Sequence, residues 1–190
     1  MKNLLPISVL FASFLLVQGC SDFLSLTNKG PIEEDLGYRS AGQVIDDQLL
    51  ETKALVNLDK ADPGLAQSNI GVTSFNGSVL LTGQVASERL RQLASETVAK
   101  LRSTKRVHNE ITVSGKASMV ARSNDGWLTT KLKSKMLASG KIQSDRIKVV
   151  TENGVVYLMG LVTRDEGKRV ADVARETAGV QKVIIIFEYI

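Results

Sequence analysis

Apolar residues recur along this chain with two periods, and the succession of the two periods itself repeats. In Asp125–Lys141 (D-G-W-L-T-T-K-L-K-S-K-M-L-A-S-G-K), Leu128, Leu132 and Met136 return every four positions. At about 100° per residue they form one stripe, so the spacing predicts a helix that turns this stripe to a core. Asn124 or Asp125 is placed to cap that helix and Gly140 to end it. Trp127, Thr130, Lys131, Ser134, Leu137, Ala138 and Lys141 fall on a different side, which is aromatic, apolar and basic together. That mixture suits the boundary between lipid headgroups and acyl chains.

Strand-like alternation marks Ile70–Val85 (I-G-V-T-S-F-N-G-S-V-L-L-T-G-Q-V), which matches Ile147–Val162 without gaps 77 positions later. Asn76-Gly77 and Asn153-Gly154 each sit between two alternating runs, the strongest short hairpin signal. A helical pattern follows each hairpin. Ser87 caps the first, with Leu90, Leu93, Ala94, Thr97 and Leu101 on one side; Thr163 and Glu166 form a capping box for the second, with Val170, Val173, Ala174 and Thr177. Further strands are expected at Val107–Val113 and Val180–Tyr189. Upstream, Asp47–Lys53 corresponds to Asp125–Lys131, and the Asp46-Asp47 pair reads as a helix cap. The expected fold is α+β: two tandem units, 44–113 and 123–190, joined by a Ser/Gly/Ala linker at 114–122. Each unit runs helix, strand, strand, helix, strand, with two helices on one face of a small three-stranded sheet.

One strand face of each unit is expected against its helices: Val72, Val79, Leu81, Val85, Val107 and Ile111, then Val149, Val156, Leu158, Val162, Val183, Ile185 and Phe187. The opposite face is mostly polar in the first unit, with Thr73, Thr82, Gln84, His108, Glu110 and Thr112. In the second it is apolar, with Val150, Tyr157, Met159, Leu161, Ile184 and Ile186. Such a patch is rarely left to water. The first unit, held close by the linker, is the expected cover, ahead of the linker itself or a partner protein.

The first twenty residues have their own pattern. Lys2 precedes an apolar run, Leu4–Val17, too short to span a bilayer, and Leu16-Val17-Gln18-Gly19-Cys20 closes it. This reads as a signal peptide over 1–19 whose ending resembles a bacterial lipobox. That resemblance implies cleavage before Cys20 and acylation there, each buried methylene being worth about 0.8 kcal/mol. Cys20 is the only cysteine, so no internal disulfide forms. Ser21 after the anchor implies an outer-membrane destination, facing the periplasm. Residues 20–43 are expected to be the lipidated cysteine and a tether of about 70 Å when stretched.

The repeated unit resembles the BON domain, a bacterial module for which phospholipid binding has been proposed. The features that carry the resemblance are the V-x-L-x-G-x-V strands at Val79–Val85 and Val156–Val162 and the helix after each. In that family Gly83 and Gly160 would stand where a side chain would meet an approaching helix. A lipobox before two such units is similar to the outer-membrane lipoproteins with two BON domains, which implies a link to division sites and envelope integrity.

Charge separates the two copies. Gln43–Ile70 holds five acids and two lysines, a balance of −3, whereas Val120–Val150 holds seven basic residues and two acids, a balance of +5. Trp127 is matched by Leu49, Lys133 by Leu55 and Lys135 by Asn57. Basic residues gain about 1 kcal/mol each at an anionic bilayer, so the second unit is the expected lipid reader. Trp127 and Leu137 would insert while Lys131, Lys133 and Lys141 pair with phosphates.

Catalysis finds no support in the pattern. His108 is the only histidine, and no triad, metal cage, phosphate loop or dinucleotide fingerprint accompanies it. The expectation is a monomeric, non-enzymatic protein with no metal and no cofactor. Its partner would be an anionic phospholipid surface rather than nucleic acid. The alternative is an adaptor for outer-membrane assembly proteins, using the first unit or the apolar sheet face of the second.

Overall fold

The computed structural model describes residues 36–115 and 119–190. Residues 1–35, which hold the expected signal peptide, Cys20 and most of the expected tether, lie outside the described residues, as do residues 116–118 of the expected linker.

In the first unit α1 (Ala41–Ala61) buries Asp47, Leu50, Ala54 and Leu58, a stripe at helical spacing. A short helix, α2 (Pro63–Ala66), begins at Asp62, which caps the Gly64 N–H. Next come β1 (Asn69–Phe75), β2 (Ser78–Val85), α3 (Glu88–Ala99), β3 (Arg106–Asn109) and β4 (Thr112–Val113). β1 runs antiparallel to β2, and β3 and β4 both pair parallel to β2. The helices cover one sheet face, where Leu50, Leu58, Val79, Leu81, Leu90 and Val98 build a core. The strand expected at Val107–Val113 is broken, because the Arg91 guanidinium donates to the carbonyls of Asn109 and Ile111 between β3 and β4.

The second unit repeats this order with α4 (Met119–Ala138), a 3-10 turn at Ser144–Arg146, β5 (Ile147–Glu152), β6 (Val155–Val162), α5 (Arg164–Arg175) and β7 (Lys182–Tyr189). β5 is antiparallel and β7 parallel to β6. Leu132, Met136, Val149, Val156, Leu158 and Val170 form its core, with Leu128 also fully buried. Ile185, expected in this core, is 40% exposed, because β7 is a sheet edge.

Both hairpins turn through left-handed residues, with φ of 52° and 80° at Asn76-Gly77 and 49° and 75° at Asn153-Gly154. That is the pair of positive φ values a two-residue turn of this hand requires. The caps, however, differ from expectation. Ser40, not Asp46-Asp47, caps α1, in a reciprocal box with Gln43. α4 starts at Met119, so residues 119–122 of the expected linker are helical and Asp125 lies inside the helix. The two aspartates serve the hairpins instead. Asp47 accepts from the N–H groups of Asn76 (2.8 Å) and Gly77 (2.9 Å) and from Ser74 Oγ (2.6 Å). Asp125 accepts from Asn153 (2.7 Å) and Gly154 (2.8 Å).

The family glycines also act differently from expectation. A Cβ at Gly83, whose φ is +108°, would run into the Asn69 carbonyl of the neighbouring strand, and one at Gly160 would lie 2.9 Å from the Arg146 carbonyl. The crowding comes from the neighbouring strand at Gly83 and from the 3-10 turn leading into β5 at Gly160, not from a helix packed on the sheet.

The apolar sheet face of the second unit is covered by the first. Phe75 and Leu80 pack with Tyr157, Met159 and Ile186, flanked by Val150, Val155, Leu161 and Ile184. Leu80 and Phe75 thus break the polarity expected of the first unit's outer face. A polar rim surrounds this contact. Gln84 Nε2 donates to Glu152 (2.6 Å), Asn76 and Ser78 donate to Glu188, and Lys148 pairs with Glu51 at 2.7 Å. Residues 38–43, expected in the tether, are built into the fold. Tyr38 donates to Asp145 and lies under the Arg146 guanidinium at 4.3 Å, while Arg39 stands 4.0 Å over Phe75 and pairs with Asp47.

Candidate functional site

The outward side of α4 carries large apolar residues that the fold leaves in solvent. Burial of Leu128, Leu132 and Met136 fixes the rotation of the helix. Trp127 is consequently 58% exposed and Leu137 72% exposed. Ten residues apart, they stand at opposite ends of the outward face, about 15 Å along the axis. Lys133 lies between them and Lys141 just past the helix end, both exposed, and neither forms an ion pair with a described acid.

Lys131 has a double contact. Its ammonium stands 4.6 Å from the centroid of the Trp127 ring and donates to the Ala178 carbonyl at 3.0 Å. Lys135, one turn later, reaches the Glu176 carbonyl at 3.5 Å. Both lysines therefore serve the carbonyls just beyond α5, where a helix leaves acceptors unpaired. The cation over the ring also steadies the indole in its exposed position. Lys131 and Trp127 are brought together, whereas Leu137 stands apart from them. Lys141 joins Ile142, Arg169 and Val173 around a shallow hollow of about 230 Å³ between the end of α4 and α5. Arg169 is a basic neighbour that sequence spacing on α4 alone had no means of revealing.

The charge count shrinks once partners are known. Arg146 lies over Tyr38 and Lys148 is bound by Glu51 and the Ser74 carbonyl, so both belong to the contact between the units. The basic character that faces solvent on and just after α4 rests on Arg122, Lys133, Lys135 and Lys141, with Lys131 at its flank.

The matching helix of the first unit presents a different surface. Ile45 (59% exposed), Leu49 (50%) and Val56 line one side of α1, accompanied by Asp46 and Asp59. It is apolar with mixed charge, Asp46 and Asp59 standing with Lys53 and Lys60, where α4 is apolar and basic.

Among the described residues no group of His, Cys, Asp and Glu is arranged to hold a metal ion, and no helix is long and apolar enough to cross a membrane. His108, the one histidine, has a buried Nε2 without a hydrogen-bond partner. Burial and the nearby Arg106 hold its pKa below the ordinary value, against the pull of Glu110.

Comparison with known proteins places these features in a group. The family model "BON domain" matches residues 46–115 and 124–185. An outer membrane lipoprotein DolP of Haemophilus influenzae is 34% identical over 192 residues, covering 100% of this chain and 98% of the relative. A 21 kDa hemolysin of Actinobacillus pleuropneumoniae is 36% identical over 165 residues, covering 87% of this chain and 85% of the relative. A solved C-terminal domain of CdsD, a type III secretion protein of Chlamydia trachomatis, aligns with a TM-score of 0.30 at 17% identity, covering 76% of this chain and 67% of that one.

Proposed function

The chain belongs to the BON-domain family and is an outer-membrane lipoprotein of it, and from this we propose that it docks on anionic phospholipid through the outward face of α4. The observation that carries the reading is a large, solvent-exposed indole held under an ammonium, on a helix whose remaining outward charges are basic. An interfacial helix needs this pairing: apolar groups to enter the acyl boundary and cations to meet phosphates. Trp127 and Leu137 insert shallowly. Lys133 and Lys141 meet headgroups directly, and Lys131 does so while holding the ring. The docking is non-enzymatic, and it adds a reversible contact to the anchorage supplied by acylated Cys20. Enrichment at anionic-lipid-rich division sites and support of outer-membrane integrity belong to the same reading.

Trp127 is the only tryptophan, so its fluorescence reports on this face alone. With residues 21–190 lacking acyl chains, vesicles containing phosphatidylglycerol shift the emission to the blue, and brominated acyl chains quench it. Phosphatidylcholine vesicles do neither. Unchanged emission with anionic vesicles would sink the proposal.

The adaptor reading is narrowed by a specific observation. The apolar sheet face of the second unit is filled by Phe75 and Leu80 and is not open to a partner. What remains for an outer-membrane assembly protein is the apolar side of α1 around Ile45 and Leu49.

A further inference from the structure

β7 is an edge strand of eight continuous residues, K-V-I-I-I-F-E-Y, paired with β6 along one side only. Its outward backbone can be identified. Residue n of β6 stands beside n + 27 of β7, and the Ile190 N–H donates to Val162 O. In a parallel ladder this turns the N–H and C=O groups of Ile184, Ile186 and Glu188 towards β6. Those of Val183, Ile185, Phe187 and Tyr189 point away from the sheet, and no described group hydrogen-bonds them.

Edges of this kind are normally blunted by a break, a bulge, a proline or an inward charge. The first unit does so: its corresponding edge is split into β3 and β4, and Arg91 occupies the carbonyls at the break. β7 has no break, bulge or proline; its inward charge, Glu188, is taken up by Asn76 and Ser78 near one end, and Ile185 is 40% exposed at its midpoint.

The sequence of the strand is self-complementary. If a second β7 lies antiparallel with Ile185 on the twofold axis, Val183 falls opposite Phe187 and Ile184 opposite Ile186. Lys182 falls opposite Glu188 of the second copy, twice. The residues that meet in hydrogen-bonding pairs, Ile185 with itself and Val183 with Phe187, are those whose backbone groups point outward. A slip of two residues in either direction removes both ion pairs. We propose that β7 is a homodimer interface, joining two copies through antiparallel β7–β7 pairing into one six-stranded sheet with Ile185 on its axis.

This departs from the monomer expected from the sequence. Alternation alone did not say that β7 would be an uninterrupted edge. Because the axis stands normal to the sheet, both copies keep α4 and α5 on the same side, and their α4 faces point the same way. The pairing does not depend on lipid docking and is tested separately.

The test uses the full acylated chain in its own membrane. Facing residues of a hydrogen-bonded antiparallel pair have Cα atoms about 5.5 Å apart, within disulfide reach. Ile185→Cys should oxidise to a covalent dimer with copper phenanthroline, while the unmodified chain and Ala178→Cys, exposed elsewhere on the second unit, should not. Adding Lys182→Glu, an exposed change that sets acid against Glu188, should lower the dimer yield at least fivefold. Adding Lys168→Glu instead, on the outer side of α5, should leave it unchanged. An Ile185→Cys yield no higher than that of Ala178→Cys, or a yield indifferent to Lys182→Glu, would overturn the proposal.

Discussion

Asp125 accepts the Gly154 N–H at 2.8 Å across 29 positions of sequence, and Asp47 accepts the Gly77 N–H at 2.9 Å across 30. Each unit thus fastens its first helix to its hairpin turn by one buried carboxylate. Asp125→Ala leaves two turn N–H groups without their partner. Unsatisfied buried donors cost about 1–3 kcal/mol each, so the second unit should lose about 2–6 kcal/mol in urea denaturation. Asp125→Asn, which keeps one acceptor, should lose less.

Acid should reveal the same device in the first unit. Burial pushes the Asp47 carboxyl up, but hydrogen bonds from Ser74, Gly77, Asn76 and Arg39 outweigh it, and its pKa lies below the ordinary 3.8. A depressed carboxylate contributes stability above its unfolded pKa and loses it as pH falls through the folded one. Stability should therefore drop below about pH 4, and Asp47→Asn should flatten that part of the profile.

Alkali should act on the contact between the units. Burial, then the charges of Glu110 and Glu152, push the Tyr157 hydroxyl from 10.0 up to about 12. The raised group contributes fully below the unfolded pKa of 10.0 and stops contributing as pH rises through about 12. The melting temperature should fall across that window, and Tyr157→Phe should reduce the fall.

The two strand glycines should differ. Gly83→Ala combines a backbone collision with a φ of +108° and should prevent the first unit from folding stably. Gly160→Ala meets one carbonyl at 2.9 Å without positive φ, and should cost less. Thermal melts of the two variants separate the cases.

Much of this architecture is written in local pattern. The Leu128, Leu132, Met136 stripe set the rotation of α4, and the two Asn-Gly pairs located both hairpins. The apolar row of the second sheet also announced that something must cover it. The short linker pointed to the first unit as that cover, but the residues that provide it were not visible, since Leu80 and Phe75 sit among polar neighbours on a strand face that otherwise reads as solvated. The aspartates were misread for a related reason. A carboxylate near a helix start suits a cap, and the competing N–H groups lie about thirty residues away. Formal charge misled in the same manner, because counting Arg146 and Lys148 does not show that Tyr38 and Glu51 engage them.

Lipid docking should depend on salt and on particular lysines. Each basic residue near an anionic surface contributes about 1 kcal/mol, so Lys133→Gln and Lys141→Gln should each weaken vesicle binding about fivefold. Raising salt from 0.05 to 0.5 M should weaken the unmodified protein further, as the Debye length shrinks to a few ångströms. Lys148→Gln, at the contact with Glu51, should leave vesicle affinity almost unchanged.

The most direct measurement is co-sedimentation of residues 21–190 with phosphatidylglycerol vesicles, run beside Trp127→Glu with folding checked by circular dichroism. The account predicts that the unmodified protein pellets with anionic vesicles only and that the folded variant stays in solution. Equal pelleting of the two, or no pelleting of either, would contradict it.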